Sequence, residues 1–211
     1  MRTRSWTLAV VLFDEVELLD VAGPLQVFST AGRHWNWRPF KAFTVAEKAG
    51  SITTRGQLAI RAEQSFDACR AAELLLVPGG YGARRALEHR GTLEFVARVG
   101  GAADLVLAVG NGSLLLAKAG LTRNAELSVP GEALETLAAL DPSARGSSDA
   151  ALLASGKLLS TKSSGRAPAL ALAAVSRMLG AKQAAQTAST LGLDSEDQSR
   201  IEVVTGPPKS S

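Results

Sequence analysis

The chain has 211 residues, 46% of them apolar and 20% charged, with a formal net charge of +3. That is the composition of a globular, well-cored protein, and its length allows one large domain or two small ones. No apolar run reaches the roughly 20 residues that span a bilayer, and the single cysteine, Cys69, excludes an intrachain disulfide.

From the N-terminus, the basic stretch Met1–Trp6 runs into an apolar stretch, Leu8–Phe13. This has the outline of a secretory leader, but the run is short, and Asp14, Glu15 and Glu17 stand where a small-residue cleavage site belongs. Trp6–Phe13 is therefore read as a first buried strand, and a cytoplasmic protein is expected. Gly23-Pro24 is expected to open a helix through about Ala31, with the proline near the first turn. Phe40–Ala46 reads as a strand. Ser51–Thr54 and Leu58–Arg61, around Gly56, read as a hairpin. Glu73–Val77 is an apolar strand ending at Pro78-Gly79-Gly80, followed by helices over about Ala83–His89 and Thr92–Val99. Asp104–Val109 is the next buried strand, with a tight turn and a helix after it. Gly131–Leu140 is a helix, and Ala151–Ala154 with Lys157–Ser160 form a second hairpin. Ala167–Leu179 and Ala181–Leu191 are alanine-rich helices.

Continuous apolar strands alternating with helices predict a mostly parallel α/β sheet covered on both faces. One domain over about residues 5–191 is expected, with a polar, breaker-rich tail over 192–211.

In open α/β sheets, ligands bind at the carboxyl ends of strands. Three such ends are unusual here. Leu18–Pro24 sets Asp20 beside a helix start, where an anion is favoured, although a plain helix cap also explains it. Pro78-Gly79-Gly80-Tyr81-Gly82 lets the backbone approach a ligand closely, or simply turns the chain. Val109-Gly110-Asn111-Gly112-Ser113 has the strand–turn–helix form of a nucleophile elbow, whose helix start offers N–H groups to an anion or oxyanion. Its apex, Gly110, carries no side chain. Cys69 reads as a structural thiol, and Ser113 lacks the flanking motif and histidine of a hydrolase. Arg84-Arg85 and Arg2/Arg4 read as solvated surface. His34 and His89 stand alone. Neither nucleic-acid binding nor a metal site is expected. Trp35 and Trp37 read as surface packing or a dimer contact, and Tyr81 as packing or a cover for the pocket mouth.

These residues resemble the ThiJ/PfpI superfamily, and within it the isonitrile hydratase-like branch. The resemblance covers about Leu8–Leu179. It rests on Val11-Leu12-Phe13, on Leu18 to Phe28, on Leu76-Val77-Pro78-Gly79-Gly80-Tyr81-Gly82, on the elbow with Ala119-Gly120-Leu121, and on Gly156–Ser160. It implies a flavodoxin-like sandwich, a homodimer and no cofactor. In such hydratases an elbow cysteine attacks the isonitrile carbon, while a first-loop carboxylate serves as acid and base. Asp20 matches the carboxylate. Gly80 and the Asn111 N–H match the oxyanion-hole region. The cysteine position falls on Gly110, and the usual threonine after it is Asn111. Glu126–Pro130 occupies the place of the family's Thr-His-Trp stretch.

Thiolate attack cannot be supplied by a backbone atom. The leading expectation is thus a non-catalytic member that binds a small polar or anionic ligand with Asp20, Gly79, Gly80, Asn111 and Gly112. An alternative is a cysteine-independent hydratase or hydrolase, with Asp20 as general base on a bound water. A third is a structural or interaction protein.

Overall fold

A computed structural model describes residues 4–33 and 36–193. His34, Trp35 and the expected tail beyond residue 193 lie outside the described residues. The elements run in chain order as β1 (Trp6–Val11), α1 (Leu18–Thr30), β2 (Phe40–Ala46), β3 (Gly50–Thr53), β4 (Ala59–Ala62), β5 (Gln64–Ser65), β6 (Leu74–Val77), α2 (Gly82–Ala86), α3 (Arg90–Ala102), β7 (Leu105–Val109), α4 (Gly112–Lys118), β8 (Glu126–Ser128), a 3-10 turn (Gly131–Ala133), α5 (Leu134–Leu140), β9 (Arg145–Ser147), β10 (Leu152–Ser155), β11 (Leu158–Thr161), a 3-10 turn (Ser164–Arg166), α6 (Ala167–Leu179) and α7 (Ala181–Leu191).

Seven strands form the main sheet in the order β10-β11-β7-β6-β1-β2-β5. All neighbours pair in parallel except β10 with β11. The order follows from the sequence. β6 and β7 are apolar at every position and wholly buried, which suits central strands covered on both faces. β1, also central, pairs with β6 on one side and β2 on the other. The sheet's interior thus runs from β11 to β2, and the carboxyl ends of β7, β6 and β1 meet in one crevice. β3 and β4 form the first expected hairpin, and β10 and β11 the second.

Two apolar layers clad the sheet. One is built by α1, α6 and α7, with Phe28, Leu170 and Val175 among its buried residues. The other is built by α3, α4 and α5, with Phe95, Leu115 and Leu137. Each fully buried Leu or Phe contributes roughly 1.5–3 kcal/mol of apolar transfer. Among the described residues, no helix is long and apolar enough to cross a membrane.

The expected start of the first helix needs correction. α1 begins at Leu18 rather than Gly23, so Pro24 lies inside it and Asp20 lies in its first turn. Pro24 removes the helical bond to the carbonyl four residues earlier. Packing compensates: Gly23 brings α1 so close to α6 that a Cβ there would sit 3.0 Å from the Pro168 ring. The 131–140 segment is a 3-10 turn leading into a shorter α-helix. Three short strands, β5, β8 and β9, were not expected.

Side chains also close loops. Lys157 Nζ donates to the carbonyls of Gly100 (2.8 Å), Gly101 (2.6 Å) and Ala103 (3.3 Å), capping the end of α3. The Arg98 guanidinium donates to the carbonyls of Phe66, Cys69 and Arg70, fixing the loop before β6. Cys69 itself is only 2% exposed. Burial pushes its thiol pKa up, with Arg98 pulling the other way.

Candidate functional site

β1 delivers the chain to the crevice, and residues 12–17 turn it into α1. Asp20 N donates to Glu17 O at 3.1 Å as the helix starts. The Asp20 carboxyl does not cap its own helix. Its Oδ2 accepts the Gly79 N–H at 2.8 Å across the crevice. Its Oδ1 is buried and makes no hydrogen bond of full geometry, although the Ser164 hydroxyl lies close enough to the carboxyl to act on its charge. The residue is 1% exposed. Burial raises its pKa from the usual 3.8 to about 6, against the pull of the Ser164 hydroxyl and the Gly79 N–H; Glu17 adds a little upward. A carboxyl so placed changes charge near neutral pH, which suits proton exchange with a small bound molecule.

Beyond β6 the chain runs Pro78 to Tyr81. A Cβ on Gly79 would lie 2.6 Å from Val109 O, and 3.1 Å from both Asn111 N and Asp20 Oδ2. Only glycine lets these three segments converge. Gly80 has φ +101°, and a Cβ there would lie 2.6 Å from Glu17 N. The first loop bonds back, Glu17 N to Gly79 O at 3.3 Å and Gly82 N to Glu15 O at 3.1 Å. The close approach these glycines permit is therefore made, in this structure, by the chain's own first loop.

The elbow follows β7. Gly110 has φ +52°, in the left-handed region where glycine is favoured. Its N–H donates to Thr161 O at 2.7 Å, and its carbonyl accepts the Ser113 N–H at 3.2 Å. Leu114 N bonds Asn111 O at 3.0 Å, and the Asn111 N–H takes no part in these bonds. A Cβ built on Gly110 would meet only Lys162 O, at 3.8 Å. Side-chain space is thus open above the turn. Gly112 is the reverse case, since a Cβ there would overlap Val77 O at 2.2 Å. α4 can start hard against β6 only without that carbon.

The structure brings Asp20, Gly79, Gly110 and Asn111 to one point, with Gly80 and Gly112 shaping the walls. Ser113 is buried with an unpartnered hydroxyl on α4. Tyr81 is 56% exposed and lies under the guanidinium groups of Arg55 and Arg85. Arg85 pairs with Glu15, and Arg4 with Glu73 and Asp104. Trp37 lines an open groove of about 960 Å³ beside α1 and β2. A second cavity, of about 440 Å³, lies over the ends of β1 and β2. Neither is lined by Asp20 or Gly110. Two further contributors, the Lys162 carbonyl and the Ser164 hydroxyl, lie just after β11. The strand-end rule, applied to Leu158–Thr161, finds them.

The profile of the DJ-1/PfpI family matches residues 7–177. The chain belongs to that family. It is 29% identical over 114 residues to an isonitrile hydratase of Pseudomonas putida, a match covering 53% of this chain and 46% of that enzyme. The aligned stretch is thus a little under half of the relative's length. The fold resembles that of a ThiJ/PfpI family protein from Pseudomonas syringae, with a TM-score of 0.82 and 22% identity over 90% of this chain and 76% of that one. It also resembles Drosophila melanogaster DJ-1beta, with a TM-score of 0.78 and 17% identity over 90% of this chain and 99% of that one.

Proposed function

We propose that this protein keeps the isonitrile hydratase-like scaffold without its thiol step. In this reading Gly110 stands where the family's nucleophile stands, and the site binds a small polar or anionic molecule between Asp20, Gly80 and the Asn111 amide. The observation that carries the reading is the pairing of a buried, half-satisfied carboxyl, Asp20, with a side-chain-free turn at Gly110.

The charge of Asp20 sets the pH behaviour of binding. Near pH 7 the carboxyl is mostly ionised, which favours a neutral ligand that donates to Oδ1 and accepts from the Asn111 N–H. An anion is favoured once the carboxyl is protonated, below about 6. The test is a thermal-shift screen of small amides, nitriles, isonitriles and carboxylates on the wild type and Asp20→Asn. A stabilising compound whose effect is lost in the variant supports the reading. A screen with no Asp20-dependent compound overturns it. In a separate turnover assay that follows formamide formation, Gly110→Cys is expected to gain isonitrile hydration that the wild type lacks.

A second reading has its own support. A carboxyl with a pKa of about 6 and one free oxygen is suited to act as general base on water in the open space above Gly110. Wild-type hydration of an isonitrile or nitrile that survives undiminished in Asp20→Asn excludes it. A cytoplasmic homodimer is part of the proposal, carried by family resemblance; light scattering of the purified chain checks the assembly.

A further inference from the structure

The groove of about 960 Å³ beside α1 and β2 lies apart from the elbow. Its floor is apolar, with Leu25, Phe28, Trp37 and Phe40. Every charged residue that lines it is a cation: Arg33, Arg38 and Lys41. All three are exposed, and among the described residues none of them forms an ion pair. Positions 21–46 contain no Asp or Glu, so the stretch that builds the groove offers nothing to offset them. The turn after α1 concentrates the charge. Gly32 has φ +81°, and a Cβ there would lie 2.7 Å from Trp37 O and 2.8 Å from Pro39 Cδ. The chain folds back on that glycine, which brings positions 33 and 38 to one end of the groove. Such a cluster attracts an anionic segment.

The groove also borders an open sheet edge. β1 pairs along one side of β2, while β5 reaches only Val45 and Ala46 on the other. On that outer side Thr44 O accepts the Glu63 N–H, and Ala46 O accepts the Phe66 N–H. Backbone groups alternate sides along a strand, so Phe40 and Ala42 turn theirs the same way, where no strand pairs with them. An open edge is a template for one more extended segment.

One segment of this chain suits both features. Residues 194–205 carry Asp194, Glu196, Asp197 and Glu202 against Arg200 alone, so four carboxylates less one guanidinium leave a charge of −3 facing three cations. Ile201, Val203 and Thr205 alternate with Glu202 and Val204 in a β-branched run closed by Gly206-Pro207, the pattern of a strand. Leu193, which leads into the segment, packs on the same apolar layer as Leu25. Extended chain from Leu193 to Ile201 reaches roughly 26 Å, more than the roughly 20 Å length of α1. A second copy seated here about a two-fold axis would instead set the three cations against their own equivalents.

We propose that residues 194–205 seat in this groove of their own chain, with the 201–205 run beside Ala42 on the open edge of β2 and the carboxylates beside Arg33, Arg38 and Lys41. The groove uses none of Asp20, Gly79, Gly80, Gly110, Asn111 or Gly112, so the inference stands whether or not the elbow binds anything.

The test uses the full chain with a nitroxide on Ser199→Cys; Cys69 is buried and its thiol pKa is pushed up, so it takes label slowly. Amide signals of Gln26, Ser29 and Ala42 are expected to broaden, and those of β10, at the opposite edge of the sheet, to stay sharp. Arg33→Glu with Arg38→Glu, both exposed, is expected to abolish the broadening. Hydrogen exchange checks the same contact without a label. The Ala42 amide is expected to exchange about tenfold slower in the wild type than in Val203→Pro, the scale of three exposed ion pairs, with α3 amides equal in both. The proposal is overturned by broadening that is absent or centred elsewhere, by broadening that survives the charge reversal, or by equal Ala42 exchange. Broadening passed from a nitroxide-bearing chain to an isotope-labelled chain without one places the segment on a second copy and also overturns it.

Discussion

Asp20 Oδ2 and the Gly79 N–H, 59 positions apart in sequence, are joined at 2.8 Å in the buried crevice. The bond ties the first turn of α1 to the end of β6 and leaves the other carboxyl oxygen without a hydrogen bond of full geometry. Everything proposed for the elbow turns on that half-satisfied group.

Its titration has a definite sign. The folded state holds the Asp20 proton to about pH 6, where the usual value is 3.8. A raised carboxyl favours the folded state most below the unfolded value, and that advantage is lost as pH rises through about 6. A rise from 3.8 to about 6 corresponds to roughly 3 kcal/mol. Asp20→Asn keeps an acceptor for Gly79 but carries no charge. It is expected to stabilise the fold by about 2 kcal/mol at alkaline pH and by nothing near pH ~3.5. Urea melts of both proteins across that range check it; a constant difference contradicts it.

The glycines of the site separate by what a methyl group would meet. Gly110→Ala faces open space and only the left-handed backbone penalty, about 1–2 kcal/mol. Gly79→Ala and Gly112→Ala drive a carbon into Val109 O and Val77 O, at 2.6 and 2.2 Å, and are expected to cost about 3 kcal/mol or more. Urea midpoints in the order Gly110→Ala above both others are the expected result.

Thiol labelling reads the same geometry chemically. Cys69 is buried, and its thiol pKa is pushed up, so native wild-type protein takes up iodoacetamide slowly. Gly110→Cys adds one fast-labelling thiol above the elbow. Peptide mass mapping after a short exposure distinguishes a fast label at 110 from one at 69.

Lys157 offers a test away from the site. Its ammonium group satisfies carbonyls at the end of α3. Lys157→Met keeps the aliphatic stem and loses those charged bonds, at about 1.5–3 kcal/mol. Faster amide exchange in the last turn of α3, with the elbow amides unchanged, is the accompanying signature.

Much of this architecture was legible because long apolar runs and glycine punctuation have few alternative meanings. β2, α6 and α7 match their expected limits, and both hairpins form where Gly56 and Gly156 break β-prone runs. β5, β8 and β9 were illegible because two or three residues carry no periodicity; partners elsewhere in the chain define them. The start of α1 was misread because Gly23-Pro24 imitates a helix opening. Tertiary contact with Pro168 outweighs that local signal. Of the site, Asp20, Gly79, Gly80, Gly110, Asn111 and Gly112 could be named from strand ends and resemblance. That Asp20 reaches Gly79 rather than its own helix, and that Lys162 and Ser164 join the group, depends on how far apart the elements settle, which no local pattern encodes.

Gly23 shows where that spacing is controlled. With a Cβ there only 3.0 Å from the Pro168 ring, the separation of two helices on one side of the sheet depends on a single absent methyl group. Asp20 lies in the first turn of α1 and Gly23 one turn along. A larger residue at 23 is expected to push α1 away from Pro168 and so to shift the carboxyl from its anchor without touching the crevice. The acidity of the pocket is thus adjustable from outside it, by a substitution that an inspection of the pocket walls alone passes over.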